Sequence, residues 1–442
     1  MLYAVSQTLS ALLKRGFVVV VAAGILARLV FVLIPGNALR TPWSGGSDTP
    51  AYVTLAQNIV KQRGLEYGGQ PTAFRPPGYP LLLAAAMEFC GKDYVLVVRL
   101  LQFGGGVIIA FTCALIARRI LDEAAGRATL VIALFLPTLA QMTAEILTET
   151  TATLLCVVFI FFLVRYAEEP HWPSVVGMAS AVGLGALVRS NIVFLGCVSF
   201  GAILLWCKER AKWRHVALAV ALPCALVSPW VLRNLYVFHG SVALSTQGGF
   251  AAAAGVIEPQ GRTQAGESEK VKAAIGWNLP AALETNGPVR SELPAEPVID
   301  RRCWQAAFRA WREAGWGLVP LAIRKLSYFW FSTDQLFWTG GLSRYQRALR
   351  SAGVFAYWTV LFLGLTGWLQ LRVSKAVLAR AFLMYALVVT LLHIPFNMNT
   401  RYRITFMEPL LVVLAGGAAT TLARRWLARK PEASSPLNVA TH

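Results

Sequence analysis

Charge is what this sequence has least of. Only 14% of its 442 residues are Asp, Glu, Lys or Arg, where a soluble globular protein carries about 25%. That shortage excludes a soluble enzyme. The 56% hydrophobic and 11% aromatic content excludes a disordered chain, which would be polar and poor in aromatics. Acidic residues are scarcest, 22 against 41 basic ones, for a formal net charge of +19. Cysteine occurs seven times but never in a CxxC or Cys/His metal spacing. Six cysteines sit in apolar runs and only Cys303 lies in a polar stretch. Neither a disulfide framework nor a zinc site is supported.

Long apolar runs are abundant. A helix needs about 20 mostly apolar residues to cross a bilayer. Ten candidate spans lie near 17–35, 96–117, 128–142, 145–164, 174–189, 191–207, 215–231, 352–371, 377–395 and 404–422. The third is short and broken near Pro137. The first reads as a span rather than a signal peptide, because no small-residue cleavage site follows it. The fold class expected is an all-α integral membrane protein of about ten transmembrane helices. Basic residues in short loops set orientation. With the N-terminus cytoplasmic, Lys14, Arg15, Arg118, Arg119, Arg127 and Arg165 fall inside. So do Lys208, Arg210, Lys212, Arg214, Arg372, Lys375, Arg380, Arg424, Arg425, Arg429 and Lys430. Both termini are then cytoplasmic, and these 17 of the 41 basic residues set topology instead of binding a polyanion.

This topology divides the chain into a membrane module at 1–232, an outer loop at 233–351, membrane helices at 352–425 and a cytoplasmic tail at 426–442. The first outer loop, 36–95, holds an amphipathic helix capped by Thr49, then a short surface helix over 78–90. In the second, 241–300 is rich in Gly, Ala, Pro and Glu and reads as a flexible lid. Residues 301–340 are crowded with aromatic and basic side chains. On an outward loop these form an interfacial aromatic belt with helices in the headgroups; the stacking platform of a nucleic-acid binder is the alternative set aside, so no nucleic-acid partner is expected.

Polar residues collect on one face. Trp43–Pro50, with Asp48, lies outside, as does the Phe74-Arg75-Pro76-Pro77-Gly78-Tyr79-Pro80 turn. Glu145 and Glu149 sit one helical turn apart at the outer end of the fourth span. Arg189, Arg233 with Asn234, and Arg401-Tyr402-Arg403 also come to the outer side. Arginine forks match phosphate oxygens, so Arg75, Arg233, Arg401 and Arg403 are candidate ligands of a lipid-linked phosphate. Asp48 is the candidate general base. Glu145, Glu149, Tyr79, Arg189, Asn234 and Tyr402 are candidate positioning groups. Arg28, near mid-span in the first helix, needs a partner, and Glu408 is the candidate. His393, alone on an apolar span, reads as structural.

The early outer-loop Asp, the helix after it, the RPPGYP turn, the Thr148-Glu149 pair and the late Arg401-Tyr402-Arg403 resemble the GT-C glycosyltransferases. The similarity is to the bacterial branch related to protein O-mannosyltransferases and lipid A aminoarabinose transferase, over about residues 15–425. The resemblance implies a polyprenyl-phosphate sugar donor and inverting transfer on the periplasmic face of the bacterial inner membrane. The acceptor would be a periplasmic glycan, lipid or protein. It places the family's catalytic acid at Asp48. Many relatives carry a second acid beside it, where this chain has Ser47 and Thr49. Aminoarabinose transferase has a lysine in the turn where this chain has Arg75, which implies a different sugar or acceptor. No cofactor is firmly implied, and a divalent metal stays open. The rival class is a transporter or flippase for a lipid-linked saccharide. Transporters put binding groups near the midplane, in repeated halves, whereas these polar groups lie at the outer face and no repeat is seen.

Overall fold

The computed structural model describes residues 2–33, 48–258, 269–275, 295–333 and 344–428. The predicted features at Trp43–Ser47, Phe337, Trp338 and the C-terminal tail lie outside the described residues, as do parts of 241–300.

The described residues are mostly helical, with one small hairpin among them. Helix α1 (Leu2–Leu33) is followed by α2 (Thr49–Val60). Strands β1 (Glu66–Tyr67) and β2 (Gln70–Pro71) pair antiparallel across Gly68-Gly69. Both glycines have positive φ, 58° and 75°, as a two-residue hairpin turn requires. Then come α3 (Gly78–Cys90), α4 (Tyr94–Ile120), α5 (Glu123–Phe135), α6 (Pro137–Ala144), α7 (Glu149–Glu168) and α8 (Trp172–Val188). A 3-10 turn at Ser190–Phe194 leads into α9 (Leu195–Trp206) and α10 (Glu209–Val237). The segment between α10 and the next long helix holds α11 (Gln247–Ile257), α12 (Glu269–Ala274), α13 (Glu296–Ala314) and α14 (Leu318–Phe331). Helices α15 (Arg344–Ser374), α16 (Ala376–His393), α17 (Thr400–Phe406) and α18 (Glu408–Ala428) complete the chain.

Among the described residues, seven helical stretches are long and apolar enough to cross a membrane, and eight with the bent α5–α6 pair counted as one. The two remaining predicted spans are α8 and the 190–206 stretch, apolar helices just short of that length. Helix α7 is the centre of the bundle, with Cys156, Phe159, Ile160, Leu163 and Tyr166 all buried. Large apolar side chains such as Val19, Leu101 and Phe362 are exposed on the periphery, as expected where the solvent is lipid.

The break between α5 and α6 bends the chain by 51°. Pro137 has no N–H, so the Ala133 carbonyl has no intrahelical partner. Arg28 supplies it: its Nη2 donates to Ala133 O and its Nε to Leu134 O at 2.8 Å. The predicted Arg28–Glu408 pair is therefore not formed. Glu408 instead accepts from Thr138 Oγ1 and lies 3.6 Å from Arg403 Nε.

Two further expectations change. Thr49 does not cap α2; Asp48 occupies the cap position without a side-chain cap bond, and Thr49 Oγ1 donates to Ile146 O at 3.3 Å. Within the expected flexible segment, α11 is ordered. Its Ala252, Ala253 and Ala254 are buried against Cys303, Ala306 and Ala307, because small side chains on both helices allow close approach.

Ion pairs Arg119–Glu168 and Arg424–Asp122 gather the C-terminal ends of α4, α7 and α18 with the start of α5. The N-terminal ends of α4, α7 and α18 therefore meet at the opposite end of the bundle.

Candidate active site

The end formed by those N-termini holds a chain of charges from five distant segments. Asp48, entering α2, accepts from Arg75 Nη2 at 2.5 Å through Oδ1. Its Oδ2 accepts from Arg401 Nη2 at 2.8 Å. The second arm of Arg401, Nη1, lies 3.3 Å from Glu149 Oε1. That same oxygen accepts from Arg189 Nη1 at 2.8 Å. Three guanidinium groups thus face two carboxylates, leaving an excess of one positive charge. Asp48 keeps 20% of its side chain exposed, whereas Glu149 keeps 2%. Asp48 is thus half-buried, and Glu149 is buried against the arginines.

Each charge is held by local structure. Arg75 sits in the Pro-rich turn before α3, its guanidinium 5.2 Å from the Tyr52 ring and 5.1 Å from the Phe74 ring. Gly78 lets this turn press on α8: a Cβ there would fall 2.7 Å from Leu187 O. Arg189 leaves α8 and lies 5.2 Å over the Tyr402 ring. Asn399 caps α17 by accepting from Arg401 N at 2.8 Å. Glu149 opens α7, where a carboxylate complements the helix dipole.

Beneath lies a polar floor. Residues 145–148 form a buried turn between α6 and α7. Gln102 Nε2 donates to Thr143 O and Glu145 O at 3.1 and 2.6 Å, and its Oε1 accepts from Tyr79 OH at 2.7 Å. Arg99 Nε reaches Ala144 O at 3.1 Å. Tyr79 also packs edge-on against Tyr52. Glu145 accepts from Gln141 Nε2 at 2.9 Å.

The structure thus brings together Asp48, Arg75, Arg189, Arg401, Glu149 and Tyr402, with Glu145 and Tyr79 just beneath. Three other candidates fall elsewhere. Arg403 is fully buried; its Nη1 donates to Phe329 O and Ser332 O at 3.1 and 2.7 Å, and its guanidinium lies 3.7 Å from the Tyr357 ring centroid. Arg233 donates to Thr72 O and Leu65 O at 3.0 Å each, tying α10 to the first outer loop. Asn234 donates to Ala243 O at 2.9 Å. His393 is structural, bonded to Val389 O and Asn191. Gln102, Arg99 and Tyr52 were not anticipated, although an Arg and a Gln inside an apolar span are a signal of their own.

Burial pushes the Asp48 carboxyl up, but the guanidinium groups of Arg75 and Arg401 outweigh it and hold it well below the usual carboxylate range. Among the described residues, no group of three His, Cys, Asp or Glu could hold a metal ion. Both carboxylate oxygens of Asp48 accept from guanidinium groups. A cluster with surplus arginine suits an anion instead.

Residues 74–232 match the family model described as dolichyl-phosphate-mannose-protein mannosyltransferase. The matched stretch contains Arg75, Tyr79, Glu145, Glu149 and Arg189. Archaeal oligosaccharyltransferase AglB from Archaeoglobus fulgidus, solved with an inhibitory peptide and a dolichol-phosphate, superposes with a TM-score of 0.55 at 14% identity. The alignment covers 96% of this chain and 53% of that one. The chain shares the fold of this oligosaccharyltransferase. The apo form of the Archaeoglobus fulgidus oligosaccharyltransferase gives a TM-score of 0.53 at 14% identity, covering 95% of this chain and 52% of that one. In sequence, the chain is 25% identical over 265 residues to the lipopolysaccharide core galacturonosyltransferase RgtA of Rhizobium johnstonii. That match covers 58% of this chain and 49% of RgtA, so the chain spans about half the length of the curated relative.

Proposed function

We propose that this GT-C protein is a membrane glycosyltransferase that moves a sugar from a polyprenyl-phosphate donor to a periplasmic-side acceptor, with inversion and with Asp48 as general base. The observation that carries this reading is Asp48 held half-buried between Arg75 and Arg401 at one end of the bundle. The dolichol-phosphate complex of the structural neighbour and the sugar-transfer names of the sequence relatives support the same class. The placement of the charges at one end, away from the middle of the helices, favours an enzyme over a transporter.

In this reading the acceptor's hydroxyl or amine attacks the anomeric carbon on the face opposite the phosphate. Its proton passes to Asp48. The bond from that carbon to the phosphate oxygen breaks, and the electron pair stays on the oxygen. As Asp48 becomes neutral, the leaving phosphate gains one negative charge. The total anionic charge facing the arginines is unchanged, so Arg75 and Arg401 can stabilise the carboxylate before the step and the phosphate during it. A donor phosphate that draws an arginine from Asp48 also raises the basicity of that carboxylate when an acceptor needs it.

The site would face the periplasm of a bacterial inner membrane, with both termini cytoplasmic. The arginines of the opposite end, Arg118, Arg119, Arg127 and Arg424, support this orientation. Replacement of Asp48 by Asn tests the reading. The variant should remain folded and membrane-inserted yet transfer no sugar.

A further inference from the structure

The two arginines on Asp48 come from segments with no covalent relationship: the turn ending at Arg75, and the connector from α16 to α17 ending at Arg401. Both segments are tied to one outer unit, α13–α14. At its start, the Glu296 carboxylate accepts from Thr72 Oγ1 at 2.6 Å and from Ala73 N at 2.9 Å. It also accepts from Thr246 Oγ1, whose backbone N donates to Ala73 O at 3.2 Å. Residues 72–73 are therefore pinned just before Arg75. Near its far end, Lys325 Nζ donates to Ile394 O at 2.6 Å and Phe396 O at 2.9 Å. The Lys325 side chain is 2% exposed, so the bonds are not those of a surface lysine snorkelling to water. The same connector is bonded from α11, where Asn397 N donates to Ala251 O at 2.6 Å. The stitching runs both ways, because Arg403 of α17 donates to Phe329 O and Ser332 O at the end of α14.

We propose that Glu296 and Lys325 are positioning residues, which set Arg75 and Arg401 respectively against Asp48. The outer α13–α14 unit is then the rigid spacer of the arginine pair and not a belt resting passively on the membrane. A displacement near 1 Å in such a constellation costs on the order of a hundredfold, so a spacer held by a buried lysine and a half-buried carboxylate is a specific way to hold it. This inference rests on the proposed donor-binding role of the arginines.

The test is binding of undecaprenyl phosphate by the full chain in nanodiscs, read as double-mutant cycles. Lys325→Met and Arg401→Gln should each weaken binding, on the order of tenfold or more. The double variant should bind no worse than Arg401→Gln alone, and Lys325→Arg should recover part of the loss. Glu296→Gln paired with Arg75→Gln should behave in the same way. If Lys325→Met does not fold, Lys325→Gln, which keeps one donating amide, takes its place in the cycle. Losses that multiply in both cycles overturn the positioning role, because a merely structural residue weakens binding independently of its arginine. No binding by the wild-type chain overturns the donor reading and this inference with it. Binding that Arg401→Gln weakens but Lys325→Met leaves intact overturns the inference alone.

Discussion

Arg401 and Asp48 are 353 positions apart in the chain and joined by a 2.8 Å hydrogen bond. Arg401 also reaches Glu149, and Arg75 takes the other oxygen of Asp48. The Asp48 carboxylate is thus one link in a chain of alternating charges, and each link has separate consequences.

Arg401 contacts two carboxylates and Arg75 only one, so their losses should differ. Arg401→Gln should lower kcat/KM by about a hundredfold or more, and Arg75→Gln by less. Arg75→Lys should recover only part of the activity, because lysine offers a point charge in place of the planar fork. Steady-state kinetics with a polyprenyl-phosphate sugar donor measure the order. Equal losses would remove the bridging role of Arg401.

The depressed Asp48 carboxyl sets the acid behaviour. Its pKa lies below the unfolded value near 4, so its contribution to stability is present above about pH 4 and is lost as pH falls through the folded value. Asp48 is therefore ionised throughout the neutral range and should give kcat/KM no acid limb above about pH 4. Removing one guanidinium weakens the opposing field, so Arg75→Gln should shift the acid limb upward. A wild-type limb near pH 6 that Arg75→Gln leaves in place would assign the titration to another group.

Arg403 and Glu408 are both fully buried and 3.6 Å apart. Breaking a buried pair by removing one partner typically costs about 3–5 kcal/mol. Glu408→Ala should lower thermal stability in detergent by that order, while Arg403→Met with Glu408→Met should be milder than either single change. Where these variants fold, donor KM should stay near the wild-type value. A selective rise in donor KM for Arg403→Met would return that residue to the phosphate site.

Arg28 serves the carbonyls left free by Pro137. Arg28→Met should destabilise the protein, since each unsatisfied buried carbonyl costs about 1–3 kcal/mol. Pro137→Ala restores an N–H to the break and should suppress part of the defect. The comparison of melting temperatures for the single and double variants checks it. Full additivity would mean that Arg28 acts elsewhere.

The spans were legible because lipid demands long apolar helices, and the break at Pro137 because proline removes a donor. The convergence of Asp48, Arg75, Arg189, Glu149 and Arg401 was legible from which ends of the spans carry polar residues. Three features were not. Arg401 and Arg403 were read as a pair, yet both lie on α17, where positions two apart point about 200° from each other; one faces Asp48 and the other faces α14. Arg28 was matched to Glu408 because carboxylates are visible in a sequence, whereas unpaired carbonyls are not. Glu296 and Lys325 contact backbone groups over 200 and about 70 positions away, which no local pattern encodes. In α11, the glycine and alanine content that suggested a mobile lid is what allows close packing on α13.

The most direct measurement compares wild-type and Asp48→Asn protein, reconstituted in proteoliposomes, for binding of undecaprenyl phosphate and for transfer from a polyprenyl-phosphate sugar. With Asp48 as the base, the variant binds the lipid phosphate at least as well as wild type, since two arginines are released, and transfers no sugar. Transfer at the wild-type rate by Asp48→Asn would contradict it.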